Sequence, residues 1–256
     1  MARKFVDTSS QYMTLDVGSD LDSLTALTVA FRFRCDTNNT FYMLAAKWYY
    51  HWGVFYPDGG WNIHHHDSLG LRAEICYDGG SSSDDLREGS VSISADEWHH
   101  AALTWATTYR ALYLDGALVD SDSTSRTSIT DTSYDLWLAA EHRSDSPNHH
   151  NHLDGQLADL GIWPVALTAA EVGALAAGFS PLLIRPQSHV LYSPLIRDED
   201  QDLIGGRTWT AVNSPTVDAH PQILRPSLVT LGVPTAGAPP PPPAGAQLLA
   251  LLGVGV

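Results

Sequence analysis

An alternation of period two, repeated in short segments from Tyr12 to Ile162, constrains this chain more than any other feature. Successive side chains of a strand point to opposite faces, so a run with apolar residues at every second position makes a strand with one buried side. Val29, Phe31, Phe33 and Cys35 share one face in this way, as do Leu71, Ala73 and Ile75. The pattern predicts strands at Tyr12–Val17, Leu27–Asp36, Phe41–Lys47, Trp52–Tyr56, Gly70–Tyr77, Ser90–Ile93, His99–Thr104, Ala111–Leu114, Tyr134–Ala140 and Gly155–Ile162. Turn residues separate them, as at Pro57-Asp58-Gly59-Gly60, Asp78-Gly79-Gly80 and Asp115-Gly116. Many short antiparallel strands of this kind predict an all-β sandwich or jelly roll.

One helix interrupts the pattern. Thr168 with Glu171 three residues on is a capping box, Ala169–Ala177 are strong helix formers, and Gly178 and Pro181 end the segment. Further strand-like pieces follow, including His189–Tyr192 and Thr208–Val212, and the acidic run Arg197–Asp202 reads as a polar turn. After Pro221 the composition changes, and Ala236–Ala246 holds only Ala, Gly and Pro with five consecutive prolines at Pro239–Pro243. Polyproline is stiff and extended. The expected organisation is a sandwich over 1–180, strands completing it over 181–220, and an extended Pro-rich tail over 221–256. Apolar residues on both sides of the spacer, ending in Leu248, Leu249, Leu251 and Leu252, predict a tether that engages a neighbouring subunit.

A net charge of −15 argues against nucleic acid and anionic membrane surfaces as partners. No run approaches the ~18 apolar residues of a membrane span. Met1-Ala2-Arg3-Lys4 leads into a strand-like stretch and not an apolar signal region, so synthesis in the cytosol, with later residence on a virion or particle surface, is the expectation. If both segments are strands, Cys35 points inward and Cys76 shares the outward face with Arg72 and Glu74, which argues against a disulfide and suits a reducing compartment.

Asp96–Ser121 carries Trp98, His99, His100, Thr104, Trp105, Leu112, Tyr113, Asp115 and Gly116 in a strand–turn–strand order. Leu153–Gly178 adds Asp159, Trp163, Leu167 and Thr168 before the helix, and Leu27–Asp36 supplies a third segment. Together these resemble the laminin G-like branch of the concanavalin A-like lectin/glucanase superfamily. The resemblance implies a concanavalin A-like antiparallel β-sandwich over about residues 5 to 180. The family's usual opening strands resemble His189–Val217, near the end of this chain, which implies either the start of a second, truncated domain or, more economically, a segment that folds back and fills the missing strands as in a circular permutation.

The glucanases of this superfamily use a Glu-x-Asp-x-x-Glu strand, and none of Glu74, Glu88, Glu97, Glu141, Glu171 and Glu199 has that spacing. No catalytic residue is assigned. Related pentraxin and laminin G domains bind Ca²⁺ through loop oxygens, so the resemblance makes Glu141, Asp145, Asp154 and Asp159 candidate calcium ligands, against a hydrogen-bonded loop at Arg143–Asn148. The histidines at 64–66 and at 149, 150 and 152 read as loop residues, while His99 and His100 read as structural. Trp48, Tyr50, Trp52, Tyr56 and Trp61 are candidates for stacking on sugar, or else divide between core and subunit contact. Two functions remain open: a non-enzymatic homo-oligomeric subunit of a virion or other capsid- or filament-like particle, and a glycan-binding lectin, monomeric or loosely oligomeric.

Overall fold

The computed structural model describes residues 1–38, 40–49, 60–67, 69–77, 82–87 (backbone only), 93–123, 126–143, 150–196 and 200–222. The strands, in chain order, are β1 (Ala2–Phe5), β2 (Tyr12–Leu15), β3 (Ala26–Cys35), β4 (Tyr42–Lys47), β5 (Trp61–His66), β6 (Gly70–Tyr77), β7 (Ser82–Arg87), β8 (His99–Ala106), β9 (Tyr109–Leu114), β10 (Ala117–Ser123), β11 (Leu136–Leu138), β12 (Gly155–Trp163), β13 (Leu191–Ser193), β14 (Thr210–Val212) and β15 (Thr216–Asp218). One helix, α1 (Ala169–Ala176), follows β12.

Two antiparallel sheets face each other. One runs β10-β9-β8-β3-β12-β1-β15, with β13 also paired to β12; the other runs β14-β2-β11-β4-β5-β6-β7. The core lies between them. Val29, Phe31, Phe33, Leu103 and Leu112 come from the eight-stranded sheet, and Met13, Leu44, Ile63, Leu71, Ile75 and Leu136 from the seven-stranded one. The expected β-sandwich is the observed architecture, with one short α-helix among the described residues. Thr168 accepts the Glu171 amide and the Glu171 carboxylate accepts the Thr168 amide, which is the capping box read from the sequence.

Residues 189–217 are woven into both sheets. β13 pairs with β12 at Leu160–Ile162, β14 with β2, and β15 with β1. Because β1 pairs with β12 at Gly155–Leu157, β1 and β13 divide one edge of β12 between them. At the level of that break the β12–β3 ladder has a β-bulge between Ala158 and Gly161, with Asp159 at φ +55°. The bulge explains an irregular spacing in the sequence: core residues Leu157, Leu160 and Ile162 are three and then two apart. The extra residue restores the phase and removes Asp159 from the core face.

Several expectations are corrected. His64, His65 and His66 do not lie in a loop: they end β5, and His64 and His65 are buried. Their burial is tolerated because His65 Nδ1 lies 3.0 Å from the Thr40 carbonyl and His64 Nδ1 2.8 Å from Asn62 Oδ1. Cys76 lies on the face opposite Cys35, as the alternation requires, but it is buried there against Met43, Ala46 and Trp48. The acidic turn holds two buried carboxylates. Asp200 pairs with Arg3, and Asp202 accepts the amides of Tyr192, Ile204 and Gly205.

Candidate functional site

The outer face of the seven-stranded sheet carries a cluster of aromatic and polar side chains. Its register aligns Thr210, Thr14, Trp137, Ala46, Asn62 and Glu74 in one row across six strands. β11 reads Leu-Trp-Leu, and since Leu136 and Leu138 enter the core, Trp137 faces away from it. Its indole stacks on Tyr12 at 4.8 Å and on His142 at 4.5 Å between ring centroids. His142 in turn meets Tyr49 and Tyr134 edge-on, and those two rings stack at 4.3 Å. The result is a continuous file of rings from β2 to the loops after β4 and β11.

Polar groups line the same face. Asn62 donates to Glu74 at 3.1 Å, and Arg72 lies 4.0 Å from the Glu74 carboxylate. Burial, followed by the charge of Arg72, holds His64 well below its usual pKa, so it is neutral. Phe41 stacks on it at 4.6 Å. Glu141, just past β11, accepts a 2.7 Å hydrogen bond from Asn151 and lies 3.6 Å from Arg143. Burial pushes the Glu141 carboxyl up to about 7 against the lowering pull of Arg143 and Asn151, and the charge of Glu74 adds to the rise. Such a surface supplies ring faces beside neutral and charged hydrogen-bonding groups, the mixture that recognises a hydroxylated ligand with apolar C–H faces.

The candidate residues named from the sequence fall in different places. Trp48 is on this face, 2% exposed, packed on Met43, Ala46 and Cys76. Trp61 is in the core between the sheets. Tyr50, Trp52, Tyr56, Asp145 and Leu248, Leu249, Leu251 and Leu252 lie outside the described residues. Glu141 belongs to the outer-face network, Asp154 lies in the field of Asp36, Lys4 and Asp7, and Asp159 sits at the bulge of the other sheet. Among the described residues no three His, Cys, Asp or Glu side chains converge on a position that could hold a metal ion. Sequence reading missed Trp137, Tyr12, Tyr134, His142, Asn62 and Asn151. For Trp137 the signal was present, since a tryptophan between two core leucines of a strand must face the other way.

Among the described residues no helix is long and apolar enough to cross a membrane. No curated protein matches the sequence significantly. Solved structures match in fold. A candidate carbohydrate-binding protein of Bacteroides ovatus aligns over 85% of this chain at 14% identity and a TM-score of 0.62; the chain spans 60% of that protein. The heptameric SAP-like pentraxin of Limulus polyphemus aligns over 82% of this chain and 92% of its own, at 14% identity and a TM-score of 0.52. The Ruminococcus gnavus IT-sialidase CBM40 bound to α2,3-sialyllactose aligns over 69% of this chain and 97% of its own, at 12% identity and a TM-score of 0.53. A family model matches residues 7–173, and with the sandwich and its helix in place the chain belongs to the concanavalin A-like lectin/glucanases superfamily.

Proposed function

We propose that this protein is a non-catalytic, lectin-like module that binds glycans on the outer face of its seven-stranded sheet. The observation that carries the reading is the ring file Tyr12–Trp137–His142 running beside Asn62, Glu74, Glu141 and Asn151 on a sheet face that is not the core. The sugar-binding names of the Bacteroides and Ruminococcus structures favour the same reading. A binding role suits the carboxyls better than hydrolysis, because Glu74 and Glu141 are each held by an amide and accompanied by an arginine. A glycan array probed with and without EDTA tests this: the reading expects a defined set of glycans to be retained by wild type and lost by Trp137→Ala. An array blank under both conditions refutes it, and loss with EDTA alone would bring calcium back.

A second reading, compatible with the first, is a building block of a self-assembling particle such as a virion surface. It is favoured by exposed apolar side chains on the C-terminal segment, Leu182, Leu183, Leu203 and Ile204, followed in sequence by the proline spacer and Leu248–Leu252. Light scattering coupled to size exclusion decides it: the full chain should be oligomeric, and deletion of 235–256 should reduce it to monomer. A full chain that stays monomeric at high concentration contradicts it.

A further inference from the structure

At one side of the sandwich each sheet ends in a short strand, β15 in the eight-stranded sheet and β14 in the seven-stranded one, and both are edges among the described residues. The turn at 213–215 joins them. A groove runs between the two edges, lined by Arg3, Ala211, Ser214, Pro215, Thr216 and Val217, with a volume of about 520 Å³. That lies within the ~300–1,000 Å³ of sites that take up a ligand.

The groove is a gap in the core at that edge. Cross-strand partners share a face of a sheet. Ala211 pairs with the core residue Met13, and Val217 pairs with Arg3, which shares its face with the core residue Phe5 two positions on. Ala211 and Val217 therefore stand at positions that face the opposite sheet, yet Ala211 is exposed and Val217 only partly buried. The walls are fixed: Arg3 donates to the Pro215 carbonyl at 2.9 Å, Gln11 to the Asn213 carbonyl at 3.0 Å, and the Asn213 side chain to the Ser10 carbonyl at 2.8 Å. What fits is one more extended segment, apolar on one face, whose backbone pairs along an edge strand.

The chain itself holds such a segment. Residues 252–256 read Leu-Gly-Val-Gly-Val, so in an extended conformation Leu252, Val254 and Val256 share one face and the other carries only glycine. Glycine lets a second backbone approach closely. Residues 247–256 have no charged side chain, so no ionic group opposes their burial. A polyproline run is stiff and extended, about 3.1 Å per residue, so Pro239–Pro243 favour delivery to a neighbouring molecule over a return to the same edge.

We propose that residues 248–256 of a second copy add a strand in this groove, with Leu252, Val254 and Val256 filling the gap beside Ala211 and Val217. The inference rests on the assembly reading above and names the contact that would hold the assembly together. Light scattering coupled to size exclusion is run on full-length wild type, Ala211→Arg, Val217→Arg and Val254→Asp, and on the double variant Val217→Arg/Val254→Asp. Each single variant should weaken self-association about tenfold or more, and the double variant should recover part of the loss. Val254 lies outside the sandwich, so its variant keeps the test decisive should a groove variant fold poorly. In a second arm, full-length Ser214→Cys is mixed with a differently tagged Val254→Cys and oxidised; Ser214 is exposed, and the native Cys35 and Cys76 are buried. A mixed disulfide-linked pair is expected. An oligomer that all three single variants leave intact overturns the inference while leaving the assembly reading standing. A full chain that stays monomeric at high concentration overturns the assembly reading and the inference with it. A disulfide that forms only within one chain when both cysteines are on the same molecule also overturns the inference, because the segment then packs on its own sandwich.

Discussion

Arg3 and Asp200 stand 197 residues apart in the sequence and form an ion pair that is almost wholly buried, with Nε and Nη2 of the guanidinium 3.1 and 2.8 Å from one carboxylate oxygen. A third contact, Nη1 to the Pro215 carbonyl at 2.9 Å, ties the same arginine to the turn between β14 and β15. The first strand of the chain is thereby fastened to the last described ones. Arg3 thus stands at the centre of a seam between the N-terminal strand and the C-terminal segment.

Breaking one side of that pair leaves a buried charge without its counter-charge. Arg3→Met or Asp200→Leu should therefore each lower unfolding stability by about 3–5 kcal/mol, and the double variant should lose much less than the sum. Urea denaturation of the four proteins checks this. Additive losses, or single variants as stable as wild type, would show that the pair does not join the segments.

Removing residues 181–256 exposes the β12 edge covered by β13, and the outer edges of β1 and β2. It also takes away Trp209, which is buried and donates to Ser193 at 2.7 Å. The 1–180 fragment is expected to be insoluble or to melt without cooperativity. A soluble fragment with a cooperative transition near that of the full chain contradicts the shared sandwich.

Glu141 makes stability depend on pH in a defined direction. Between its ordinary value near 4.5 and its folded value of about 7 the unfolded chain ionises while the fold keeps the proton, so the folded state binds more protons and stability falls as pH rises through that window. The loss is complete above the folded value and is on the order of 3 kcal/mol. Glu141→Gln remains neutral and should lack it. Urea midpoints of the variant and wild type should converge near pH 4.5 and separate by about pH 8, with the variant the more stable. Parallel profiles would mean that the carboxyl is not held protonated.

Much of the fold was legible because strands with one apolar face advertise themselves. β6 has the boundaries the alternation predicts, β3 is displaced by one residue, and α1 begins at its capping box. β5 was not legible, because Trp-Asn-Ile-His-His-His shows little apolar periodicity and His64 and His65 are buried by specific partners, His64 also by Phe41. The bulge at Asp159 breaks the period that strand reading depends on. At the site, Glu141 was visible as an acid after a strand, but its neighbours Asn151, Arg143 and Glu74 come together only through register and loop closure. Trp61, a candidate for stacking on sugar or else for the core, opens β5 and fills the core.

The central claim, that the outer face of the seven-stranded sheet takes glycan through Trp137, is tested most directly by isothermal titration. The ligand is the glycan that an array retains most strongly, titrated into full-length wild type and into Trp137→Ala. Removing a stacking ring from a binding face costs about 1–3 kcal/mol in comparable ring-stacking sites, so the account predicts affinity weakened by roughly tenfold or more, in a variant whose thermal transition stays cooperative although Trp137 is only 6% exposed. Equal affinity in the two proteins would contradict it.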